Sequence, residues 1–453
     1  MIKGARFTEA EAEAQVHGIC FKTGPPVRVG VELEWLVRDR HDPTLPVQAE
    51  LVAATLAEFG ESAPRLGRAG PADPSDDQHD PERARRLVRN PYFPTLPSGA
   101  SLTVEPGGQL ELSSAPAATL GELREVTGRD LTALRDAAAG VGLELCGYGL
   151  DPLRPPRRVL DLPRYVAMEK FWDREGPWGR QMMCGTASVQ VCVDAGEDST
   201  GGSGYRARWR LLHAIGPVLV AAFANSPLRG GKPTGWRSAR QQAWAHMDPG
   251  RTRAPAENGD PRDAWTAYAL DAELMCVREP GSADWTAPAG LTFRDWLRDR
   301  PATLRPPTPE DLDYHLTTLF PPVRPHGHLE LRMIDAQLGD GWIVPAAVVM
   351  ALTSDARAAE AAMAAAEPVW AQFRDAGDHM GSIGPWLRAA RFGPADPTIS
   401  RASKQCFEAA EAALSRSGAP APIRQAVADF TERYVLKDRC PADDQLEELH
   451  DRA

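Results

Sequence analysis

Three observations on this chain predict an α+β fold, an open and largely antiparallel sheet with one polar face, backed by helices. Four separated stretches alternate polar and apolar residues at a period of two, the pattern of strands buried on one face only. Runs with helical apolar spacing lie between and after these stretches. A doubly wound parallel sheet is excluded by the third. Its strands would read as continuous apolar runs, no Gly-x-Gly-x-x-Gly follows a strand here, and Gly231-Lys232 lacks the earlier glycine of a phosphate-binding loop.

In chain order, residues 8–18 read as a short acidic helix, 27–37 as the first strand and 47–59 as an amphipathic helix. Residues 60–82, rich in Gly, Pro, Asp and Ser, read as a loop, and the Ser75-Asp-Asp-Gln-His-Asp80 run in it reads as solvated. Leu102 to Ser113 reads as a second strand if extended. Residues 119–140 have helical spacing, with Leu120, Leu123, Leu131 and Leu134 facing inward. A strand at 143–149, an ordered Pro- and Arg-rich connection at 151–164 and a helix at 164–172 follow. Met183 to Asp194 reads as a strand, and Tyr205 to Ala224 as a long helix ending at Asn-Ser-Pro. Residues 280–309 are irregular until Thr308 caps a helix with Pro309 in its first position. His328 to Ile334 is the last strand. From 342 the chain is Ala-rich and helical to about 436, broken at Gly418, Pro420 and Pro422.

Strand alternation sorts the side chains into faces. Glu32 and Glu34 oppose Val31, Leu33 and Trp35; Glu105, Gln109 and Glu111 oppose Val104, Leu110 and Leu112. Thr186, Ser188 and Gln190 oppose Ala187, Val189 and Val191; His328, Glu330 and Arg332 oppose Leu329, Leu331 and Met333. One sheet with a greasy back and a carboxylate-rich front satisfies all of them. Any single strand also fits an ordinary water-facing sheet. Two carboxylates about 5 Å apart, however, repel by roughly 3 kcal/mol at an effective dielectric near 20. Hard divalent cations offset such repulsion, and Mg²⁺ prefers carboxylate oxygens together with phosphates. Taken together, the strands favour a metal–nucleotide site.

Composition limits the alternatives. At 453 residues and 43% hydrophobic content the chain can build a large core. The motifs scattered over 27–340 must converge, so residues 1–453 read as one catalytic domain with a helical C-terminal part at 341–453. A net charge of −11 without a basic tract argues against nucleic-acid binding. Seven dispersed cysteines without a Cys-x-x-Cys pair argue against a disulfide framework or a zinc site and fit a reduced, cytoplasmic setting. Cys184 and Cys192 would share a strand face. The N-terminus has no signal-peptide core, and the longest apolar runs fall short of a membrane span, so no membrane partner is expected.

Five pieces then occur in a familiar order. They are Val-Glu-Leu-Glu at 31–34, Glu105-Pro-Gly-Gly-Gln-Leu-Glu-Leu-Ser113, the strand from Met183 to Val193, Ala224-Asn-Ser-Pro with Arg240 downstream, and His315 to Arg324 followed by Leu329-Glu-Leu-Arg332. This series resembles the second glutamate–cysteine ligase family, which includes plant-type enzymes and bacterial enzymes of ergothioneine synthesis. The resemblance covers about residues 29–335. It implies a glutamine-synthetase-like sheet and ATP-dependent joining of the L-glutamate side-chain carboxylate to the amine of L-cysteine. It also implies Mg²⁺ held by Glu32, Glu34, Glu105, Glu111 and Glu330, and Arg240 at the α-carboxylate of glutamate. An arginine suits that task because its planar fork binds carboxylates in bidentate fashion.

Further roles stay paired with plainer readings. Arg332 and Glu330 are the catalytic candidates: Arg332 either stabilises phosphate charge or pairs with Glu330. Gln109, Thr186, Gln190 and Asn225 are candidates for binding substrate, or else polar groups of a sheet face and a turn. Gly107 and Gly108 let backbone approach a ligand, or form a turn after Pro106. Trp236 and Tyr314 cover a ligand or belong to the core, and His315 and His328 read as structural. Two other functions fit the same face: a carboxylate–amine ligase with a different amine, and a non-catalytic nucleotide or amino-acid binding protein on this fold. Retention of all five acidic candidates argues against the latter.

Overall fold

β1, Val29–Asp39, is the spine of the molecule: Val31, Leu33 and Trp35 are buried while Glu32 and Glu34 are half-buried. The computed structural model describes residues 7–59, 95–255, 259–279, 281–374 and 384–451. The acidic run from Ser75 to Asp80 lies outside the described residues. Along the chain follow β2 (Ser101–Val104), β3 (Leu110–Ser113), β4 (Leu143–Cys146), β5 (Ser188–Asp194), β6 (Leu228–Arg229), β7 (Lys232–Pro233), β8 (Val323–Pro325) and β9 (His328–Asp335). The main sheet runs β2-β3-β1-β5-β9-β8, with β4 also paired to β1, and every one of these pairings is antiparallel. β6 and β7 form a separate small ribbon.

Two of the expected strands are corrected. Leu102 to Ser113 is not one extended strand but a hairpin, β2-turn-β3. Glu105 N–H donates to Gln109 O at 2.8 Å, Gly108 N–H donates to Glu105 O at 2.8 Å, and Gly108 takes φ +87°. Pro106-Gly107-Gly108 turns the chain because proline fixes φ and glycine tolerates the left-handed region. Met183 to Asp194 is likewise divided: Trp178–Gly185 is helical, and β5 starts only at Ser188. Cys184 therefore lies in that helix and does not share a strand face with Cys192. Helices Ala239–Ala245, Pro249–Thr252, Pro261–Asp271 and Phe293–Arg298 escaped the sequence reading.

Thr308 caps its helix as expected, and other helices are capped in the same way. Thr8 and Thr308 each complete a reciprocal capping box, with Glu11 and Asp311 respectively, and Thr119 accepts from Glu122 N–H. The back of the sheet, including Val31, Leu33, Val189, Val191, Leu329 and Leu331, packs on helices Tyr205–Ala222, Ile343–Ser354 and Leu120–Gly140. Each fully buried side chain of this kind contributes roughly 1.5–3 kcal/mol. The C-terminal helices join the same core through Phe223, Phe407 and Phe430, whose ring centroids are 5.0–5.9 Å apart. A second apolar cluster lies beside the polar face. There Met168, Phe171, Trp172, Met182 and Met183 hold helices Pro163–Trp172 and Trp178–Gly185 together. All seven cysteines are free thiols, and among the described residues no helix is long and apolar enough to cross a membrane.

Candidate active site

Strand register places the acidic side chains in rows across the front of the sheet. In the first row Thr103, Glu111 and Glu34 stand opposite one another on β2, β3 and β1. Directly opposed residues have Cβ atoms about 5 Å apart, so Glu111 and Glu34 are close neighbours. The second row runs Ser101, Ser113, Glu32, Gln190. The third runs Cys192, Glu330, Arg324 over β5, β9 and β8. Glu105 stands at the start of the β2–β3 turn, beyond the first row.

Neutral donors and arginines hold these carboxylates apart. Ser188 Oγ donates to one oxygen of Glu34 at 2.9 Å and Gln190 Nε2 to the other at 3.0 Å. Thr103 Oγ1 donates to Glu111 at 2.8 Å. The Gln190 carbonyl oxygen accepts from Arg332 Nη1, so Gln190 bridges Glu34 to Arg332. Glu330, only 1% exposed, takes a two-pronged bond from Arg324, Nε to Oε2 at 2.8 Å and Nη2 to Oε1 at 2.9 Å, and also pairs with Arg332.

The electrostatics of the two ends differ. Burial, then the negative charge of Glu34, pushes the Glu105 carboxyl up to about 7, although Arg164 and Arg332 pull the other way. Burial and the charges of Glu32 and Glu105 push Glu111 well above the carboxylate range. Burial would raise Glu330 too, but Arg324 and Arg332 overcome it and bring it down to about 2. The β3–β1 end is thus a patch of unrelieved acidic charge, while the β9–β8 end is neutralised by guanidinium groups.

Arg240 reaches the same face from helix Ala239–Ala245. It is 2% exposed, its Nη2 donates to Arg332 O at 2.8 Å, and Nη1 stands 3.7 Å from Asp335. Its Nε and Nη1 have no hydrogen-bond partner. The indole N–H of neighbouring Trp244 has none either, and Trp244 packs on Phe320, over which Arg332 lies. Leaving such groups unsatisfied in a buried place is costly, and an acceptor-rich anion bound beside them would remove that cost.

Three substrate-binding candidates have their side-chain donors committed to the protein itself. Gln109 accepts from Gly107 N–H and donates to Met183 O and Thr186 O, tying the hairpin turn to the end of helix Trp178–Gly185. Thr186 Oγ1 donates to Met182 O at 2.7 Å. Fully buried Asn225 donates to Gly147 O and Ala336 O and accepts from Gln445. All three have their side-chain donors spent on main-chain carbonyls and shape the site from there. Gly107 packs on protein backbone, since a Cβ there would lie 2.3 Å from Cys184 O. His315 is a core residue, its Nε2 2.8 Å from Ala269 O, and Tyr314 lies under the guanidinium groups of Arg164 and Arg278. Trp236 is partly buried against the core.

Two important residues were missed by the sequence reading. Arg324 faces forward by strand parity and ends one of the pieces that carry the resemblance, but the resemblance assigns it no role. Asp335 left a signal: it falls on the apolar parity of β9, after Leu329, Leu331 and Met333, where an acidic residue needs buried partners. It finds them in Asn225 N–H at 2.9 Å, Ser226 Oγ at 2.7 Å and Ser238 Oγ at 3.0 Å.

The fit to magnesium is divided. Glu32, Glu34, Glu105 and Glu111 supply hard oxygen donors, and the raised Glu105 and Glu111 report repulsion that a divalent cation would relieve. Among the described residues, though, no three His, Cys, Asp or Glu side chains are gathered tightly enough to enclose an ion. Glu34, Glu111 and Glu330 instead turn to hydroxyl, amide or arginine groups. Glu330 fits a metal least well, because Arg324 already occupies both of its oxygens.

Comparison with known proteins is consistent across the whole length. The family model Glutamate-cysteine ligase family 2 (GCS2) matches residues 28–448. Glutamate–cysteine ligase EgtA of Mycolicibacterium smegmatis is 36% identical over 447 residues, covering 97% of this chain and 91% of that protein. Glutamate–cysteine ligase EgtA of Mycobacterium tuberculosis is 39% identical over 359 residues, 77% of each chain. The fold is shared with a crystal structure of glutamate–cysteine ligase from Francisella tularensis in complex with AMP. The TM-score is 0.51 at 12% identity, over 94% of this chain and 85% of that one.

Proposed function

The chain belongs to glutamate–cysteine ligase family 2, and from that premise we propose how the polar face of its sheet does the work. The protein is an ATP-dependent ligase that joins glutamate to cysteine, giving γ-glutamylcysteine. We place that product in ergothioneine formation, as for the resembling bacterial enzymes. The observation that carries the site reading is the division of one face into an acidic end and an arginine-rich end, with Arg240 buried between helix and sheet.

In this reading Arg240 binds the α-carboxylate of glutamate through Nε and Nη1, the two groups without a hydrogen-bond partner in the protein. That anchor directs the side-chain carboxylate of the substrate across the face. Glu32, Glu34, Glu105 and Glu111 would hold Mg²⁺. Bound there, magnesium would neutralise phosphate charge during transfer from ATP to that carboxylate. Arg332, kept charged by Glu330 and Glu34 against the cost of burial, faces the same region and stabilises the transferring phosphoryl group. Glu330 serves by holding Arg324 and Arg332 in place, and Gln190 keeps Arg332 in register with Glu34. The amine of cysteine then displaces phosphate. Glutamate and cysteine are the partners expected, and the absence of a basic tract supports no role in nucleic-acid binding.

The test is phosphate release with ATP, Mg²⁺ and L-glutamate, with each candidate amine added in turn and products weighed by mass spectrometry. Release that depends on cysteine and yields γ-glutamylcysteine is expected. Release dependent on another amine would replace the acceptor, and no release with any amine would overturn the reading.

A further inference from the structure

The helical C-terminal part ends on the loop that delivers Arg240. In helix Pro441–Asp451 the Gln445 carboxamide donates to both oxygens of Asn225, the main-chain carbonyl at 3.0 Å and Oδ1 at 2.6 Å. Ala442 N–H donates to Ala224 O at 2.9 Å, and Asp443 pairs with Arg237 at 2.8 Å. These contacts grip the loop at both of its ends. Asn225 passes the constraint inward, since its N–H donates to Asp335 Oδ2 at 2.9 Å. Asp335 also accepts from Ser226 and Ser238 and stands 3.7 Å from Arg240 Nη1, while Ser226 Oγ accepts from Arg240 N–H at 3.2 Å. Gln445, Asn225, Ser226, Asp335, Ser238 and Arg240 are all buried.

We propose that Gln445 is a positioning residue for glutamate binding, acting through Asn225 and Asp335 on the guanidinium of Arg240. This rests on the assignment of Arg240 to glutamate made above. Two features argue for positioning rather than general adhesion. The relay is polar and buried at every step, so a shift of one member leaves the next without its partner. It also ends on a single guanidinium whose Nη2 is fixed to Arg332 O while Nε and Nη1 have no hydrogen-bond partner. The direction of those two groups is therefore set by Asp335 on one side and the Arg332 carbonyl on the other.

Steady-state kinetics of the full-length Gln445→Leu variant test this, with Asp443→Asn as a second way to loosen the same loop should Gln445→Leu fail to fold. The KM for glutamate is expected to rise about fivefold or more, with the KM for ATP and the melting temperature little changed. Gln425→Ala, whose exposed side chain bonds Asp429, serves as the unaffected control. Arg240→Lys and the double variant Gln445→Leu/Arg240→Lys complete a cycle, in which the two effects on glutamate are expected to be less than additive. An unchanged glutamate KM in folded Gln445→Leu or Asp443→Asn, alongside a raised one in Arg240→Lys, overturns the relay. Equal losses for glutamate, cysteine and ATP overturn it too, because they mark a packing role. An unchanged glutamate KM in Arg240→Lys removes the Arg240 assignment itself, and the proposal with it.

Discussion

Glu105 and Glu330 have the same side chain on the same face, yet their surroundings move them in opposite directions, to about 7 and about 2. Burial acts on both, and the difference is whether arginines or carboxylates stand nearest. This has a consequence for pH. The folded value of Glu105 lies above its unfolded one. The stability it contributes is therefore fully present below about 4.5 and lost as pH rises through about 7. Metal-free protein is expected to melt at progressively lower temperature between those limits, and saturating Mg²⁺ is expected to flatten the trend. A pH series of melting curves with and without the ion checks this; a metal-free profile that rises over that window would contradict it. Glu330 runs the other way, contributing stability above the ordinary carboxylate value that is lost only as pH falls through about 2. At the same scale, Glu105→Gln is expected to cut ligation about a hundredfold, the size of effect seen when a transition-state charge partner is removed. It should leave the metal-free melting temperature equal or higher, because a repelling charge has gone. Arg324→Ala should cost roughly 3 kcal/mol in denaturant unfolding, near the low end for a broken buried pair because Arg332 remains on Glu330.

Among the elements, the β2–β3 hairpin shows how closely the site depends on its supports. A Cβ at Gly107 would meet Cys184 O at 2.3 Å, so Gly107→Ala must push the turn and helix Trp178–Gly185 apart. Overpacking of this kind costs about 1–3 kcal/mol. Because Glu105 begins the turn and Gln109 bonds across the same contact, activity should fall further than stability does. Comparing kcat with the unfolding midpoint of the variant distinguishes this from simple destabilisation. The same elements show where sequence patterning stops being informative. Alternation correctly divides β1, β5 and β9 into faces, since each is long enough for the period to register. It fails from Leu102 to Ser113, where the polar residues of a turn imitate the wet face of a strand. It fails again at Met183 to Thr186, where the last turn of a helix carries no distinguishing period.

For the molecule as a whole, the motif-bearing part and the C-terminal helices share one apolar core, joined by Phe223, Phe407 and Phe430. A single cooperative unfolding transition is therefore expected by both fluorescence and circular dichroism, and two separated transitions would show independent domains. Phe407→Ala, at a fully buried position, should cost about 3–5 kcal/mol and lower that one transition rather than release a separate helical unit.

By itself the sequence determined the fold class, the polar and apolar faces of the strands and the capped starts of the main helices. These depend on local periodicity and on residues within a few positions of one another. It also carried the acidic candidates, because Glu32, Glu34, Glu111 and Glu330 face forward by strand parity alone. Only the tertiary structure decided which polar groups remain available. The side-chain donors of Gln109, Thr186 and Asn225 look free in one dimension and go to main-chain carbonyls in three. Asp335 and Gln445 carry no motif, and each matters through a partner supplied by another part of the fold. Hydrogen-bond capacity is exhausted by neighbours in space, and those neighbours, as with Asn225 and Gln445, can lie 220 residues away along the chain.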